Sequence, residues 1–276
     1  MSAAIRDLVI AHYQPADGAA ALVQRIGRLL DELDGGAFSG AQLAALDQFH
    51  IGGLVATAEL ARCLAPTPQT QVMDAGSGLG GPSRYLAETH GCQVVGVDLT
   101  PAFVELAHRL ALRSEAAGLL KYVVGDVCDL PMEDGRFDLV WTQHVLMNVL
   151  DRERAYAEFH RVLKPGGRLA CYDVVWADHK PAIEFPVPWA SDPDASHLLT
   201  HAETSAALDR AGFDLLQWED VTALALSGFS QPAATQGPTL AAVMGPRMQM
   251  MLANLARNLR EGRVRVAMSV HARRAS

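Results

Sequence analysis

The first 68 positions show the hydrophobic spacing of amphipathic helices. Apolar residues recur at steps of three and four positions, at Leu22, Ile26, Leu29, Leu30 and Leu33, and such a period places them on one face of a helix. Two glycines, Gly35 and Gly36, predict the end of that helix. A second helix is predicted over 54–64, because Pro66 and Pro68 follow it.

The pattern changes after residue 68, where short apolar runs alternate with amphipathic stretches. The runs predict strands over 71–75, 93–97, 122–124, 137–141 and 168–175. Most of them are separated by predicted helices over 81–90, 101–117 and 151–163. Strands that are apolar on both faces and joined by helical crossovers are typical of a mostly parallel sheet in an α/β fold.

The C-terminal third predicts two more strands. A helix over 203–211 and a strand over 213–218 are followed by a segment broken by Pro and Gly, a helix over 246–260 and an alternating strand over 263–271. We expect both strands to extend the sheet, one of them antiparallel. The connection between them is too long for a tight hairpin, so 222–262 is interpreted as an insertion that covers the active site. A surface helix without a ligand role is the alternative.

Composition and charge narrow the class of protein. The 276 residues are 50% hydrophobic and carry a formal net charge of −8, which argues against a nucleic-acid partner. An apolar stretch long enough to span a membrane, a signal peptide and a CxxC pair are not found in the sequence, and the four cysteines lie far apart. We therefore expect a cytoplasmic protein without a metal site, and leave its oligomeric state open, including a homodimer.

The most informative segment is a glycine-rich turn between a predicted strand and a predicted helix. It reads Val72-Met73-Asp74-Ala75-Gly76-Ser77-Gly78-Leu79-Gly80-Gly81. Glycines allow a tight turn and let the main chain approach a ligand at the start of the helix. Gly76, Gly78 and Gly81 also satisfy the dinucleotide GxGxxG pattern, so an NAD-dependent oxidoreductase stays open.

Two further acids follow the next two predicted strands. Asp98, before Leu99, can accept hydrogen bonds from both hydroxyls of a ribose, whether in NAD or in S-adenosylmethionine. Asp126, before Val127, can accept a hydrogen bond from an adenine amino group, while Val127 offers apolar contact to the ring. Three strand ends would then bind three parts of one nucleoside. The alternative for Asp126 is that it only caps a turn.

With these motifs the sequence resembles the class I S-adenosylmethionine-dependent methyltransferases. The likeness covers about residues 68–176, and includes Phe137-Asp138-Leu139-Val140 as a fourth strand and Leu163-Lys164-Pro165-Gly166-Gly167 as the turn into a fifth. Where Ser77 stands, the family usually has a cysteine. The resemblance implies a Rossmann-like, doubly wound sheet of seven strands. It also implies an S-adenosylmethionine site formed by Asp74, Gly76, Ser77, Gly78, Gly80, Asp98, Leu99, Asp126, Val127 and Gln143.

A closer likeness lies outside these motifs. Segments 46–53, 142–148 and 185–190 resemble the sarcosine/dimethylglycine N-methyltransferase-like branch. The resemblance implies a small-molecule acceptor, with an amine slightly favoured and oxygen or carbon left open. It also implies that the N-terminal helices, residues 1–67, cover a core of residues 68–276.

Two residues at the ends of the fourth and fifth predicted strands are the candidates for catalysis. His144 could accept a proton or orient the nucleophile, and Asp173 could attract an ammonium substrate. Alternatively, His144 only contacts the cofactor and Asp173 only satisfies backbone donors. Many small-molecule methyltransferases have a histidine where this chain has Met147 and Asn148, so a general base stays open. A module that binds S-adenosylmethionine without catalysis is the third functional hypothesis.

Overall fold

The computed structural model describes residues 3–13, 17–32, 40–229, 243 and 247–275. Seven strands form one sheet in the order β3-β2-β1-β4-β5-β7-β6. The strands are β1 (Gln71–Ala75), β2 (Gln93–Asp98), β3 (Leu120–Val124), β4 (Phe137–Gln143), β5 (Leu163–Trp176), β6 (Phe213–Asp220) and β7 (Val264–Arg273).

The first five strands are parallel, and β7 runs antiparallel to both of its neighbours, β5 and β6. The predicted mostly parallel, seven-stranded α/β sheet is therefore confirmed, as is its extension by two last strands of which one is antiparallel. Because β1 lies between β2 and β4, the strand order reverses beside β1, and open α/β sheets bind ligands at such a point.

Helices flank the sheet and precede it. Those before β1 are α1 (Ala3–Tyr13), α2 (Gly18–Glu32), α3 (Gly40–Asp47) and α4 (Gly53–Leu64). Within the core they are α5 (Gly81–His90), α6 (Pro101–Ala111), α7 (Arg152–Val162), α8 (His201–Arg210), α9 (Thr222–Gly228) and α10 (Met248–Arg260). The predicted end of a helix at Gly35 and Gly36 lies outside the described residues.

The helix predicted over 101–117 is shorter than expected. It ends at Ala111, and a 3-10 turn follows at Ala117–Leu119. The Ser114 hydroxyl accepts from the backbone N–H of Ala116 at 3.1 Å and donates to Glu88 at 2.7 Å. Such side-chain bonds offer the backbone an alternative to the helix, which explains the early end.

Hydrophobic packing fixes the layers around the sheet. One buried cluster joins α4 and α5 to a face that includes Trp141 and Tyr172, and a second joins α7 to the opposite face through Tyr156 and Phe159. A third cluster joins α2 and α3 to α6 through Leu22, Ile26, Leu43, Leu46, Phe103, Leu106, Leu110 and Val243. The third cluster holds the N-terminal helices beside the carboxyl ends of the strands. Over the described residues, none of the helices is long and apolar enough to span a membrane.

Candidate functional site

A large cavity opens at the carboxyl ends of β1 to β4. It contains about 1140 Å³ of empty space including its mouth, which is large enough for a nucleoside and a small acceptor together. Its wall is formed by Val9, Tyr13, Asp47, Phe49, His50, Asp74, Gly76, Ser77, Gly78, Pro82, Val97, Asp98, Leu99, Thr100, Phe103, Gly125, Asp126, Val127, Gln143, His144, Val145, Met147, Asn148, Val149, Pro188, Trp189 and Met248.

The glycine-rich turn forms part of this wall, and glycines within it have a left-handed backbone. Gly76 has a φ of 78° and Gly78 a φ of 52°, conformations that side chains other than glycine's disfavour. A Cβ at position 76 would also lie 2.1 Å from Cγ2 of Val145. Of the glycine-turn residues predicted to bind the cofactor, Gly76, Ser77 and Gly78 line the cavity, but Gly80 does not. Gly80 instead precedes α5, where a Cβ would lie 2.3 Å from the hydroxyl of Tyr122.

Asp98 is held in place by two backbone N–H groups. Its Oδ2 accepts from Gly78 at 2.8 Å, and its Oδ1 accepts from Thr100 at 2.8 Å. Burial raises the pKa of this carboxyl above its usual value, while the hydrogen bonds from Thr100 and Gly78 oppose that shift. Asp98 and Leu99 both line the cavity. Since each carboxylate oxygen has two lone pairs, Asp98 can still accept hydrogen bonds from a ligand.

Asp126 follows β3 and also lines the cavity together with Val127. Its Oδ1 accepts from the backbone N–H of Cys128 at 2.9 Å, so it caps its own turn. Its Oδ2 accepts from Arg6 of α1 at 3.3 Å. The turn-capping role and the position on the cavity wall are therefore compatible.

Asp74 lies deeper, at the end of β1. Its carboxyl is 2% exposed, and its Oδ2 accepts from the Ser83 hydroxyl at 2.6 Å. Burial raises its pKa to about 7, and the nearby charge of Asp98 acts in the same direction. Asp74 therefore exchanges a proton near neutral pH in the free protein.

His144 follows β4 with a strained backbone. Its φ of 54° is left-handed, and its backbone N–H donates to the carbonyl of Tyr172 at 2.8 Å. The imidazole stacks on the Tyr172 ring at 5.6 Å and meets the edge of the His50 ring at 6.1 Å. Burial, and then the charge of His50, lower the pKa of His144 well below its usual value. The imidazole is consequently neutral at physiological pH.

The prediction that Asp173 faces the same space as His144 was wrong. Side chains alternate along a strand, and Tyr172 takes the face that holds His144. Asp173 therefore points to the opposite face, into a separate small cavity that also contains Arg152 and Thr204. Its Oδ1 accepts from the backbone N–H of Val145 at 3.1 Å, and burial raises its pKa to about 7.

Gln143 ends β4 within a buried hydrogen-bond network. Its Oε1 accepts from the Trp141 indole at 2.9 Å and from the Thr57 hydroxyl at 3.3 Å. The same hydroxyl lies 2.8 Å from Oε1 of Gln48. The Gln143 amide nitrogen is buried and has no hydrogen-bond partner among the described residues.

Helix α1 lies over the cavity and contributes Val9 and Tyr13 to its wall. The Tyr13 hydroxyl donates to Oδ1 of Asn148 at 2.9 Å. The Asn148 amide nitrogen donates to the carbonyls of Trp189 at 2.7 Å and Ala195 at 3.1 Å. One asparagine thus connects the N-terminal helix to the segment after β5.

Several wall residues were not assigned to the site from the sequence. They are Val9, Asp47, Phe49, Thr100, Phe103, Met147, Asn148, Pro188, Trp189 and Met248. Phe103 and Met248 have the helical spacing of core residues, which carries no functional signal. Asp47 forms a buried ion pair with Arg84. The two residues are far apart in the sequence, so no local sequence pattern predicts this pair.

Comparisons with known proteins agree with this geometry. A family model described as "Methyltransferase domain" matches residues 73–171. Sarcosine/dimethylglycine N-methyltransferase of Halorhodospira halochloris is 37% identical over 159 residues, 56% of this chain and 55% of its own length. Tocopherol O-methyltransferase of Arabidopsis thaliana is 39% identical over 99 residues, 36% of this chain and 28% of its own length. The chain thus spans about half or less of the length of these relatives.

Solved structures share the fold. Geranyl diphosphate C-methyltransferase from Streptomyces coelicolor A3(2) superposes with a TM-score of 0.70 and 19% identity, over 99% of this chain and 98% of its own. The sheet order and the glycine turn with its two acids agree with the matched domain. Residues 73–171 are thus similar to the methyltransferase domain family.

Proposed function

We propose that this protein transfers the methyl group of S-adenosylmethionine to a small-molecule acceptor. The observation that carries the proposal is the Asp98 carboxylate, which two backbone N–H groups fix on the cavity wall beside Gly78. Asp126 follows the adjacent strand on the same wall. A ribose bound to Asp98 would therefore have its base directed toward Asp126 and Val127.

The residues present fit this ligand. The backbone of 76–78 would face the methionine part, and Leu99 would contact the nucleoside. Gln143, with its orphaned buried amide nitrogen, lies at the boundary between this end of the cavity and His144. A buried donor without a partner is costly, and a polar ligand group would satisfy it.

When bound, S-adenosylmethionine would supply a methyl carbon activated by a positively charged sulfur, for transfer to a lone pair of the acceptor. The protein has to hold the acceptor in line and exclude water, which can lower the barrier by several kcal/mol. Tyr13, Trp189 and Met248 serve this purpose in our proposal, because they close the cavity opposite the strand ends. Residues 1–67 then act as a cover, and Met248 is the contribution of the described part of segment 222–262.

The acceptor atom could be nitrogen, oxygen or carbon. The relatives described above methylate nitrogen, oxygen and carbon. The expectation of an amine depended partly on direct attraction by Asp173, whose carboxyl lines a separate cavity. Its charge still acts through space on the Tyr13 hydroxyl of the cavity wall. Cytoplasmic location and oligomeric state stay predictions, testable by cell fractionation and analytical ultracentrifugation.

Calorimetry with Asp98→Ala tests the cofactor proposal. Loss of a charge-assisted contact to the ribose should cost on the order of 2–3 kcal/mol, or roughly thirtyfold to over a hundredfold in affinity for S-adenosylmethionine. Asp129→Ala is the matched control, since Asp129 is an exposed acid outside the cavity wall. Unchanged binding by Asp98→Ala, or tighter binding of NAD than of S-adenosylmethionine, contradicts the proposal.

Turnover measurements separate the two residues that the sequence proposed for catalysis. His144→Ala should lower methyl transfer by about a hundredfold or more if the imidazole accepts a proton, with cofactor affinity nearly unchanged. Asp173→Asn should retain turnover, because Asn can still accept from Val145. Full activity of His144→Ala removes it from the catalytic residues. If cofactor binds but no acceptor among a metabolite pool is methylated, the protein is a binding module.

A further inference from the structure

The charged residues of the cavity wall all lie at the proposed cofactor end. They are Asp47, Asp74, Asp98 and Asp126, and the described part of the wall contains no Lys or Arg. Each carboxylate already has a protein partner: an arginine for Asp47 and Asp126, a hydroxyl for Asp74, and backbone N–H groups for Asp98. These four acids thus already have hydrogen-bond or ion-pair partners in the protein, and they lie on the side of the cavity that β1 to β3 form.

The other end of the cavity is apolar. Beyond β4 and under the cover its wall consists of Val9, Tyr13, Met147, Pro188, Trp189 and Met248. Its polar atoms are already used, because the Tyr13 hydroxyl donates to Asn148 and both amide hydrogens of Asn148 go to backbone carbonyls. This end offers a ligand mainly aromatic and aliphatic surface.

Two imidazoles border this apolar end. His50 is committed to the protein, since its Nε2 lies 2.9 Å from the Gly53 carbonyl and 3.0 Å from the Thr57 hydroxyl. His144 makes a stacking contact with Tyr172, but its buried Nε2 has no hydrogen-bond partner among the described residues. Burial lowers the pKa of both histidines, that of His50 to about 4. His144 is thus an uncharged hydrogen-bond acceptor at the edge of an apolar space.

Resting on the proposed function, we infer that this end takes an uncharged, predominantly apolar acceptor whose reacting group is a hydroxyl directed at His144. The described side chains that line this end include no Asp, Glu, Lys or Arg, so an ammonium or a phosphate buried here would have no counterion in direct contact. The charges of Asp98 and Asp173 reach the Tyr13 hydroxyl only through space, and a buried charge without a direct partner is strongly unfavourable. As the acceptor oxygen bonds to the methyl carbon, the positive charge of the sulfonium is lost, and the proton released by the oxygen passes to the His144 imidazole and then to solvent when the site opens. The site therefore holds one positive charge before and after the step. The balance requires no further reactant.

Ring faces could instead attract an ammonium by cation–π interaction. Three aromatic side chains of the wall, Tyr13, Phe49 and Phe103, pack against one another rather than around an open box. Phe103 meets Tyr13 edge-on at 6.3 Å and Phe49 edge-on at 5.6 Å. This packing favours the uncharged acceptor, and the ammonium becomes an outcome of the test.

The test compares ligands that share one apolar body and differ in their polar group. 4-Propylphenol, 4-propylbenzyltrimethylammonium and 4-propylphenyl phosphate are titrated calorimetrically into the protein saturated with S-adenosylhomocysteine. We expect the phenol to bind at least about tenfold more tightly than either ion. Equal or tighter binding of an ion, or no binding of the phenol at millimolar concentration, overturns the inference. Failure of S-adenosylhomocysteine to bind would instead refute the proposed function, so the two failures are distinguishable.

A pair of variants gives a second test. Met248 lines the cavity and is the first residue of α10, where an introduced acid is favourable to the helix. Met248→Asp should tighten binding of the ammonium and weaken binding of the phenol, each by about tenfold or more. Met250→Asp is the matched control, since Met250 is 49% exposed in the same turn and outside the wall. Identical effects of both variants overturn the inference.

Discussion

The buried carboxyl of Asp74 makes a specific prediction about pH. In the free protein its pKa is raised to about 7 by burial, and Ser83 donates to it at 2.6 Å. S-adenosylmethionine carries a sulfonium and an ammonium, and a positive charge nearby favours the ionised carboxylate. Binding should therefore lower the pKa of Asp74 and release a proton.

The magnitude follows from the two ionisation states. With a pKa of about 7, Asp74 is about one-tenth ionised at pH 6 and about nine-tenths ionised at pH 8. If the bound state requires the ionised form, affinity should rise about tenfold over this interval, and about half a proton should be released per ligand at pH 7. The sign is fixed: the free protein holds more protons than the complex, so the dissociation constant falls as pH rises.

Calorimetry in buffers of different ionisation enthalpy measures both quantities. The α-amino group of the ligand titrates at about 8, so it also contributes to the proton release that is measured. The decisive comparison is therefore between the wild type and Asp74→Asn, because the contribution of the ligand is the same in both. The Asn variant should show no proton release from this site and a flatter affinity profile. Ser83→Ala should shift the transition to higher pH, since the ionised carboxylate loses its donor. A wild-type profile identical to that of Asp74→Asn would refute the reasoning.

Two further predictions concern the cover and the glycine turn. Tyr13→Phe leaves a buried acceptor on Asn148 without its donor, so amides of α1 should exchange with solvent about 5- to 150-fold faster, corresponding to about 1–3 kcal/mol, whereas Tyr85→Phe should not change them. Unchanged exchange in Tyr13→Phe would show that this bond does not hold α1. Gly76→Ala places a Cβ 2.1 Å from Val145, so it should weaken cofactor binding, and adding Val145→Ala should recover part of the loss. Wild-type affinity of the single variant would contradict the observed packing.

The sequence signals for the proposed cofactor end of the site are local. Asp98 follows its own strand directly, and the turn that it contacts through Gly78 is defined by consecutive residues. Parallel strands bring such ends together at one edge of the sheet whatever the rest of the chain does. The sequence assigned Gly80 to the cofactor site because it belongs to the same motif. In the structure Gly80 lies against Tyr122, where a Cβ would collide with the tyrosine ring.

The apolar end could not be predicted in the same way. Its wall comes from distant segments, including α1, the residues after β4, Trp189 and Met248. An aromatic residue or a methionine in such a segment has the same sequence signal whether it lines a cavity or fills the core. Only tertiary packing, here the bonds of Asn148 to Tyr13 and to Trp189, decides which of these residues meet.

The placement of Asp173 shows how one strand can serve a site from both of its faces. Tyr172 accepts the backbone N–H of His144 and stacks on its ring, while Asp173 accepts the N–H of Val145 from the other side of the sheet. A left-handed backbone at a residue other than glycine costs on the order of 1–2 kcal/mol and persists only where its surroundings fix it. These contacts supply that support, because they hold both peptide groups that flank the strained residue. The sequence placed Asp173 and His144 at the ends of neighbouring strands, and in the structure the two residues are connected through the backbone of the turn. In our proposal Asp173 is therefore a positioning residue, and His144 is the one of the two that faces the acceptor.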